Sequence, residues 1–134
     1  MAVQLSIAVR NARLDATEST IGTSAKLQFR TGTQPASCAT ASSGTMLVEM
    51  TLPSDYMAAA SSGTKALLGS WTGTAAASGT AAHWRLLDSA GTTCHAQGTI
   101  TGTGGGGDLT VDNTSIASGQ TVTQSTFTLT DGNA

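Results

Sequence analysis

The chain has 134 residues, of which 39% are hydrophobic and only 10% charged, and its formal net charge is −2. That is one domain's length, and charge this close to balance excludes the high-charge signature of disorder. The six Lys and Arg (Arg10, Arg13, Lys26, Arg30, Lys65, Arg85) are spread along the sequence, so no basic patch marks a nucleic-acid partner.

Ordinary domains carry about 25% charged residues; here Thr, Ser, Ala and Gly fill the difference. No apolar run approaches the ~18 residues that cross a bilayer as a helix, so no membrane partner is expected. The opening MAVQLSIAVR lacks the charged start and apolar core of a secretory leader. Synthesis in the cytoplasm is therefore the expectation. In that reducing setting Cys38 and Cys94, 56 positions apart, read as buried thiols rather than a bridge.

The chain reads as a single domain with two parts: an amphipathic N-terminal helix or arm over 1–22 and a β-domain over 23–134. Within SIAVRNARLDATESTIG, the residues Ile7, Asn11, Leu14, Glu18 and Ile21 follow helical spacing. Ser6 suits an N-cap and Gly22 a C-cap. Leu5, Val9, Ala12 and Ala16 form a second, weakly apolar strip on the opposite side, so the helix can face its own domain and a neighbour at once. Val3, Leu5, Ile7 and Val9 also alternate as a strand would.

After Gly22 the period changes to two. AKLQFRT alternates through Leu27 and Phe29, and MLVEMTL sets Met46, Val48, Met50 and Leu52 against Leu47, Glu49 and Thr51. In LPSDYMAAASSG, Pro53 interrupts pairing and Ser54 or Asp55 suits the cap of a single helical turn through Tyr56 and Met57. KALLGSW, TAAHWRLLD, TTCHAQGTI and DLTVD read as one strand each. QTVTQSTFTLT closes the fold with a phase slip between Val122/Gln124 and Phe127/Leu129, the mark of a bulge or a bend between sheets. SGT and similar turn signals separate these runs. The pattern predicts a mainly β fold, an antiparallel sandwich or barrel of about seven or eight short strands with an N-terminal helix.

Candidate sites resolve against chemistry. ITGTGGGGDLTV contains a literal G-x-G-x-x-G at Gly102, Gly104 and Gly107. A dinucleotide loop needs a helix after it, whereas DLTVD alternates as a strand, so the run reads as a flexible hairpin connection. Cys38, His83, Cys94 and His95 are zinc-ligand types, but they lack the close pairs of zinc sites; Cys94 reads as core-facing with Ala96. Nothing singles out one hydroxyl for either histidine to activate, and no G-x-S-x-G elbow is present. The expectation is no catalytic residue, no metal, no cofactor and no enzyme. The aromatics Phe29, Tyr56, Trp71, Trp84 and Phe127 lie far apart in sequence and read as core. What remains is a docking module, with Val3, Leu5, Ile7 and Val9 as interface candidates.

Six segments carry a resemblance: VRNARLDA with IGTSAKL, TGTQPASCA, LVEMTLPSDYMAAASSGTK, WRLLDSAGTTCHAQGTI and DLTVDNTSIASGQTVTQSTFTLTDGNA. Together they cover nearly the whole chain, which resembles a family of small tailed-phage and prophage virion proteins. The resemblance implies a structural virion component. Within that class the expectation is a decoration (cement) protein on the outer head surface that binds the major capsid protein and self-associates as a trimer or dimer. The alternative is a tail, collar or fibre-associated β-module that holds host glycan through Trp71, Trp84 or the loop near Gly104 to Gly107.

Overall fold

The structure, a computed structural model, describes residues 3–132. Helix α1 (Ile7–Ile21) forms where the sequence places it. Ser6 stands in extended conformation at the N-cap, and its Oγ accepts the Val9 N–H. At the far end Gly22 takes φ +91° and donates its N–H to Glu18 O, a conformation that a residue with a Cβ resists.

Eleven strands follow among the described residues: β1 (Lys26–Arg30), β2 (Met46–Thr51), β3 (Thr64–Ala66), β4 (Trp71–Thr74), β5 (Gly79–Thr80), β6 (His83–Leu87), β7 (Cys94–Gly102), β8 (Leu109–Val111), β9 (Ser115–Ile116), β10 (Thr121–Gln124) and β11 (Thr128–Thr130). One sheet has the order β2-β1-β6-β7-β8, and three two-stranded ribbons pair β10 with β4, β11 with β3, and β5 with β9. The fold is mainly β, built from curled, largely antiparallel sheets in a sandwich- or barrel-like arrangement, as expected.

The strand count exceeds seven or eight because two runs that read as single strands are broken, and because β5 and β9 pair as a short ribbon where turn signals stand. KALLGSW divides into β3 and β4 around Gly69, whose φ is +77°. The closing run divides at its phase slip, and there the chain leaves β4's ribbon for β3's. Buried Gln124 braces the break, donating from Nε2 to Thr126 O (2.6 Å) and across to Thr110 O on β8 (3.1 Å).

The helical turn expected at Ser54–Met57 does not form. Met57 instead bridges Leu67, while Leu68 N–H and Ala58 N–H bond Tyr56 O and Ala66 O. Extended pairing satisfies backbone groups that a lone turn would leave open.

The inner face of the main sheet carries Leu27, Phe29, Val48, Met50, Trp84, Leu86 and Ile100, all in one buried cluster with Tyr56, Trp71 and Phe127. Four aromatics distant in sequence meet there. Tyr56 and Trp71 pack edge-on at 6.1 Å, and Phe127 sits 5.3 Å from both Trp71 and Trp84. Trp71 Nε1 donates to Tyr56 O and Leu68 O. With the indoles of Trp71 and Trp84 buried, a glycan platform built on them is ruled out; large rings carry the apolar area that a thin core needs.

All five residues of β6 are buried, which alternation alone cannot produce, so something must cover the sheet's outer face as well. The cover is the connection from β1 to β2, Thr31–Thr45. Register places Glu49, Gln28, Arg85 and Gln97 side by side across β2, β1, β6 and β7, and the connection folds back over this row. Arg85 donates to Thr40 O, Ser42 Oγ and Cys38 O, and Gln97 to Pro35 O.

Here the expectation for the cysteines is corrected. Cys38 and Cys94 are joined in a disulfide, with Cα atoms 5.1 Å apart. Register explains why Cys94 does not follow Ala96 into the core: Ala96 lies opposite Leu86 but Cys94 lies opposite Leu87, leaving His95 as the extra residue of a bulge. The bulge shifts Cys94 to the outer side, against the covering segment.

Candidate functional site

The most elaborate side-chain constellation sits where α1 meets the segment 57–63. Asn11, Asp15 and Glu18, spaced i, i+4, i+7, share one helix face. Each accepts a backbone N–H from the segment: Asn11 Oδ1 from Gly63 (2.9 Å), Asp15 Oδ1 from Ala60 (2.9 Å) and Glu18 Oε1 from Met57 (3.2 Å). The segment therefore runs antiparallel along the helix, and three polar side chains replace a strand partner. Leu14 and Ile21 bury themselves beside this row.

Lys65 comes up from β3 into the same place. Its ammonium, 3% exposed, donates to Asp15 Oδ1 (2.8 Å), Glu18 Oε2 (2.9 Å) and Ala58 O (2.9 Å), so all three N–H groups are used. Burial alone would lower the Lys65 pKa; hydrogen bonds to Asp15 and Glu18 outweigh it and hold the pKa above its ordinary value. The bonds from Lys65 and from Ala60 N–H likewise hold the Asp15 carboxyl below the usual range. An open cleft of about 440 Å³ lies beside the triad, lined by Asp15, Glu18, Thr23, Asp55, Met57 and Lys65. Its lysine is a locked cation rather than a free amine, so the arrangement fastens the helix and offers no nucleophile.

The helix also holds the end of the chain. Arg10 Nε donates to Asp131 O (2.7 Å) and Arg13 Nε pairs with Asp131 Oδ2 (3.2 Å). The segment from Arg10 to Ile21 is thus fastened to the β-domain, and the interface candidates stand at and before its start.

There Val3 is 82% exposed, Ile7 56% and Val9 45%, while Leu5 is half-buried. The four do not form one strand-like face, because α1 starts at Ile7 and two residues of helix turn Val9 about 200° from Ile7. Ile7, read both in the main helical stripe and as an interface candidate, is exposed. The strip Val9, Ala12, Ala16 is exposed as well.

The remaining candidates are not brought together. The buried His83 has Nδ1 bonded to Gly32 O (2.9 Å), and burial foremost pushes its pKa below the ordinary value. His95 is exposed; His83 lies opposite Thr99, four residues from His95, or roughly 13 Å of strand. Cys38 and Cys94 spend their sulfurs on each other.

The glycine run is followed by a strand, not a helix, so the phosphate-cradle geometry is missing. It is not a hairpin either: β8 pairs β7 in parallel, Ile100 opposite Leu109. Parallel neighbours usually need a crossover of a dozen or more residues, and here Thr103–Asp108 suffices. Glycine makes that possible. A Cβ on Gly105 would stand 2.7 Å from Thr101 Cβ, one on Gly107 would stand 2.9 Å from Thr101 N, and Gly104 and Gly106 have φ +85° and +80°. Asp108 pins the return, its Oδ2 accepting the Thr99 N–H and hydroxyl.

Set beside protein-family models, curated proteins and solved structures, the chain matches none. Sequence reasoning missed the Asn11/Asp15/Glu18 row. Its signal was present in two acceptors, Asn11 and Glu18, standing inside a stripe otherwise apolar.

Proposed function

We propose that this chain is a docking module of a phage particle: a decoration (cement) protein that binds the major capsid protein on the outer head surface and braces the expanded shell. The observation that carries the reading is the division of labour within residues 3–21. Asn11, Asp15, Glu18, Leu14 and Ile21 bind the helix to its own domain, while Val3, Ile7 and Val9 are left projecting from one end.

Burying an aliphatic side chain contributes on the order of 1.5–3 kcal/mol. Three of them make a weak contact alone and a firm one when a trimer or dimer presents several ends to a symmetric lattice. The contact bridges neighbouring capsid subunits, so opening the shell first requires breaking it. The resemblance to virion proteins supports this reading. So does the Cys38–Cys94 bridge, which suits a surface that leaves the reducing cytoplasm.

Deleting residues 1–10 would confuse the test, because it removes the Ser6 cap and Arg10's hold on Asp131. Substitution avoids this. The first turn of α1 contains no acidic residue, so Ile7→Asp favours the helix dipole, and Val9→Glu completes a capping box with Ser6. Val3→Asp, Ile7→Asp and Val9→Glu together are expected to leave thermal stability unchanged or slightly raised while abolishing sedimentation with empty expanded heads. Undiminished co-sedimentation of the triple variant contradicts the assignment of this end as the contact.

A further inference from the structure

We infer that the segment Thr31–Thr45 is a redox-latched strap, open while Cys38 and Cys94 are thiols and locked over the sheet's outer face once they are joined. The first observation is what the strap is made of. TGTQPASCATASSGT carries no Val, Ile, Leu, Met or aromatic residue, and Pro35 is its one buried position. Beyond that proline it has no apolar anchor to drive docking by burial. Besides the disulfide and Pro35 it is held by polar contacts: those from Arg85 and Gln97, Arg30 Nε and Nη2 to Ser43 O and Gly44 O, and His83 Nδ1 to Gly32 O. Such bonds trade against bonds to water and add little net, while ordering fifteen residues of small, flexible chain is costly.

The second observation is what the strap covers. Beneath it lie the polar Gln28, His83, Arg85 and Gln97, with Leu87 buried at the end where Cys94 pairs with it. Arg85 is 2% exposed, and no carboxylate pairs with it among the described residues. Uncovering this face returns a buried cation to water and exposes Leu87 but no residue of the inner cluster, so the apolar penalty of opening the strap is small beside the one that protects the inner face. The base of the strap stays in place regardless, because Thr31 N–H bonds Thr45 O and Thr45 N–H bonds Thr31 Oγ1. An open strap and an intact sheet are therefore compatible, and the covalent bond decides between the two states.

The chemistry is thiol–disulfide exchange with a low-molecular-weight disulfide, RSSR. One cysteine thiolate attacks RSSR and expels RS⁻; the other attacks the mixed disulfide, forms the Cys38–Cys94 bond and expels the second RS⁻. The two protons lost by the cysteines are taken up by the two leaving thiolates as RSH. The open state presents His83 and Arg85 on a polar face beside the half-buried Arg30; the closed state removes His83 and Arg85 from solvent.

The test uses the full chain, reduced or oxidised with glutathione, and elastase, which cuts after the strap's Ala36, Ala39 and Ala41. Cleavage within 36–41 is expected to be at least about tenfold faster in the reduced protein than in the oxidised one. Tryptophan near-ultraviolet circular dichroism should be the same in both. Cys38→Ser with Cys94→Ser should behave as the reduced form and ignore oxidised glutathione. Equal cleavage rates in the two forms would overturn the inference, since the polar contacts would then suffice. Loss of the tryptophan signal on reduction would overturn it too, because the bridge would then be a staple for the whole fold.

Discussion

Trp84 on β6 lies directly opposite Gly98 on β7, and the indole fills the space that a side chain at 98 would need. A Cβ there would approach Trp84 Nε1 to 2.7 Å. The ring cannot swing away freely, because its other side meets Phe127 edge-on at 5.3 Å. Gly98→Val is therefore expected to cost about 1–3 kcal/mol by overpacking, read as a lower urea midpoint at unchanged m-value. An unaffected midpoint would mean that the indole has room to move.

The glycine run yields a ranking. Gly104→Ala and Gly106→Ala meet no atom within 4 Å and carry only the conformational penalty of positive φ, about 1 kcal/mol. Gly105→Ala and Gly107→Ala drive a methyl into Thr101, and should cost up to about 3 kcal/mol. Equal and near-zero effects at all four positions would restore the flexible-connection reading.

At the helix cleft the buried partner is the cation. Lys65 is 3% exposed, whereas the Asp15 side chain is 48% exposed and rehydrates readily. Lys65→Met should cost roughly 2–3 kcal/mol, less than a fully buried broken pair. Asp15→Asn with Glu18→Gln strands the buried ammonium and should cost more. Chemical denaturation of both variants checks the order; the reverse order would place the strain on the carboxylates.

Stability should fall at both ends of the pH scale. His83 is pushed below its ordinary 6.5, chiefly by burial, so the unfolded ring takes up a proton that the folded ring refuses. Its contribution is complete above 6.5 and drains away as pH drops. His83→Asn keeps a donor for Gly32 O and should flatten the denaturation midpoint across about pH 5 to 6.5. At the alkaline end Lys65 is raised above 10.5, and Tyr56 is pushed up to about 12 from 10.0 by burial and then by Glu18. Both contributions are full below the unfolded values and are lost as pH rises through the folded ones. A midpoint that holds steady above about pH 10 would contradict this.

Much of the architecture was legible in local pattern. Ser6 and Gly22 bound the helix because caps act on their own turn, and the Val122–Leu129 phase slip marked a change of sheet because side-chain period is a local property. What escaped depends on which strands become neighbours. The Cys38–Cys94 bridge needs the β1–β2 connection folded over the sheet and a bulge at His95; alternation alone sends Cys94 inward. The parallel β7–β8 pair was hidden because glycine permits a return that connection length argues against. At the candidate site Val3, Leu5, Ile7 and Val9 were singled out by strand-like alternation, whereas the exposure of Ile7, which also belongs to the main helical stripe, depends on its place in the first turn of α1. The row of Asn11, Asp15 and Glu18 was not legible, since nothing local shows that backbone N–H groups at 57, 60 and 63 will face it.

The most direct test of a docking role on a phage head is quantitative mass spectrometry of particles assembled in a host carrying the genome that encodes this chain, with cross-linking before purification. The account predicts a copy number comparable to that of the major capsid protein, and cross-links from the Val3–Val9 end to that protein. Absence of the chain from purified particles, or a copy number matching a tail or collar component, would contradict it.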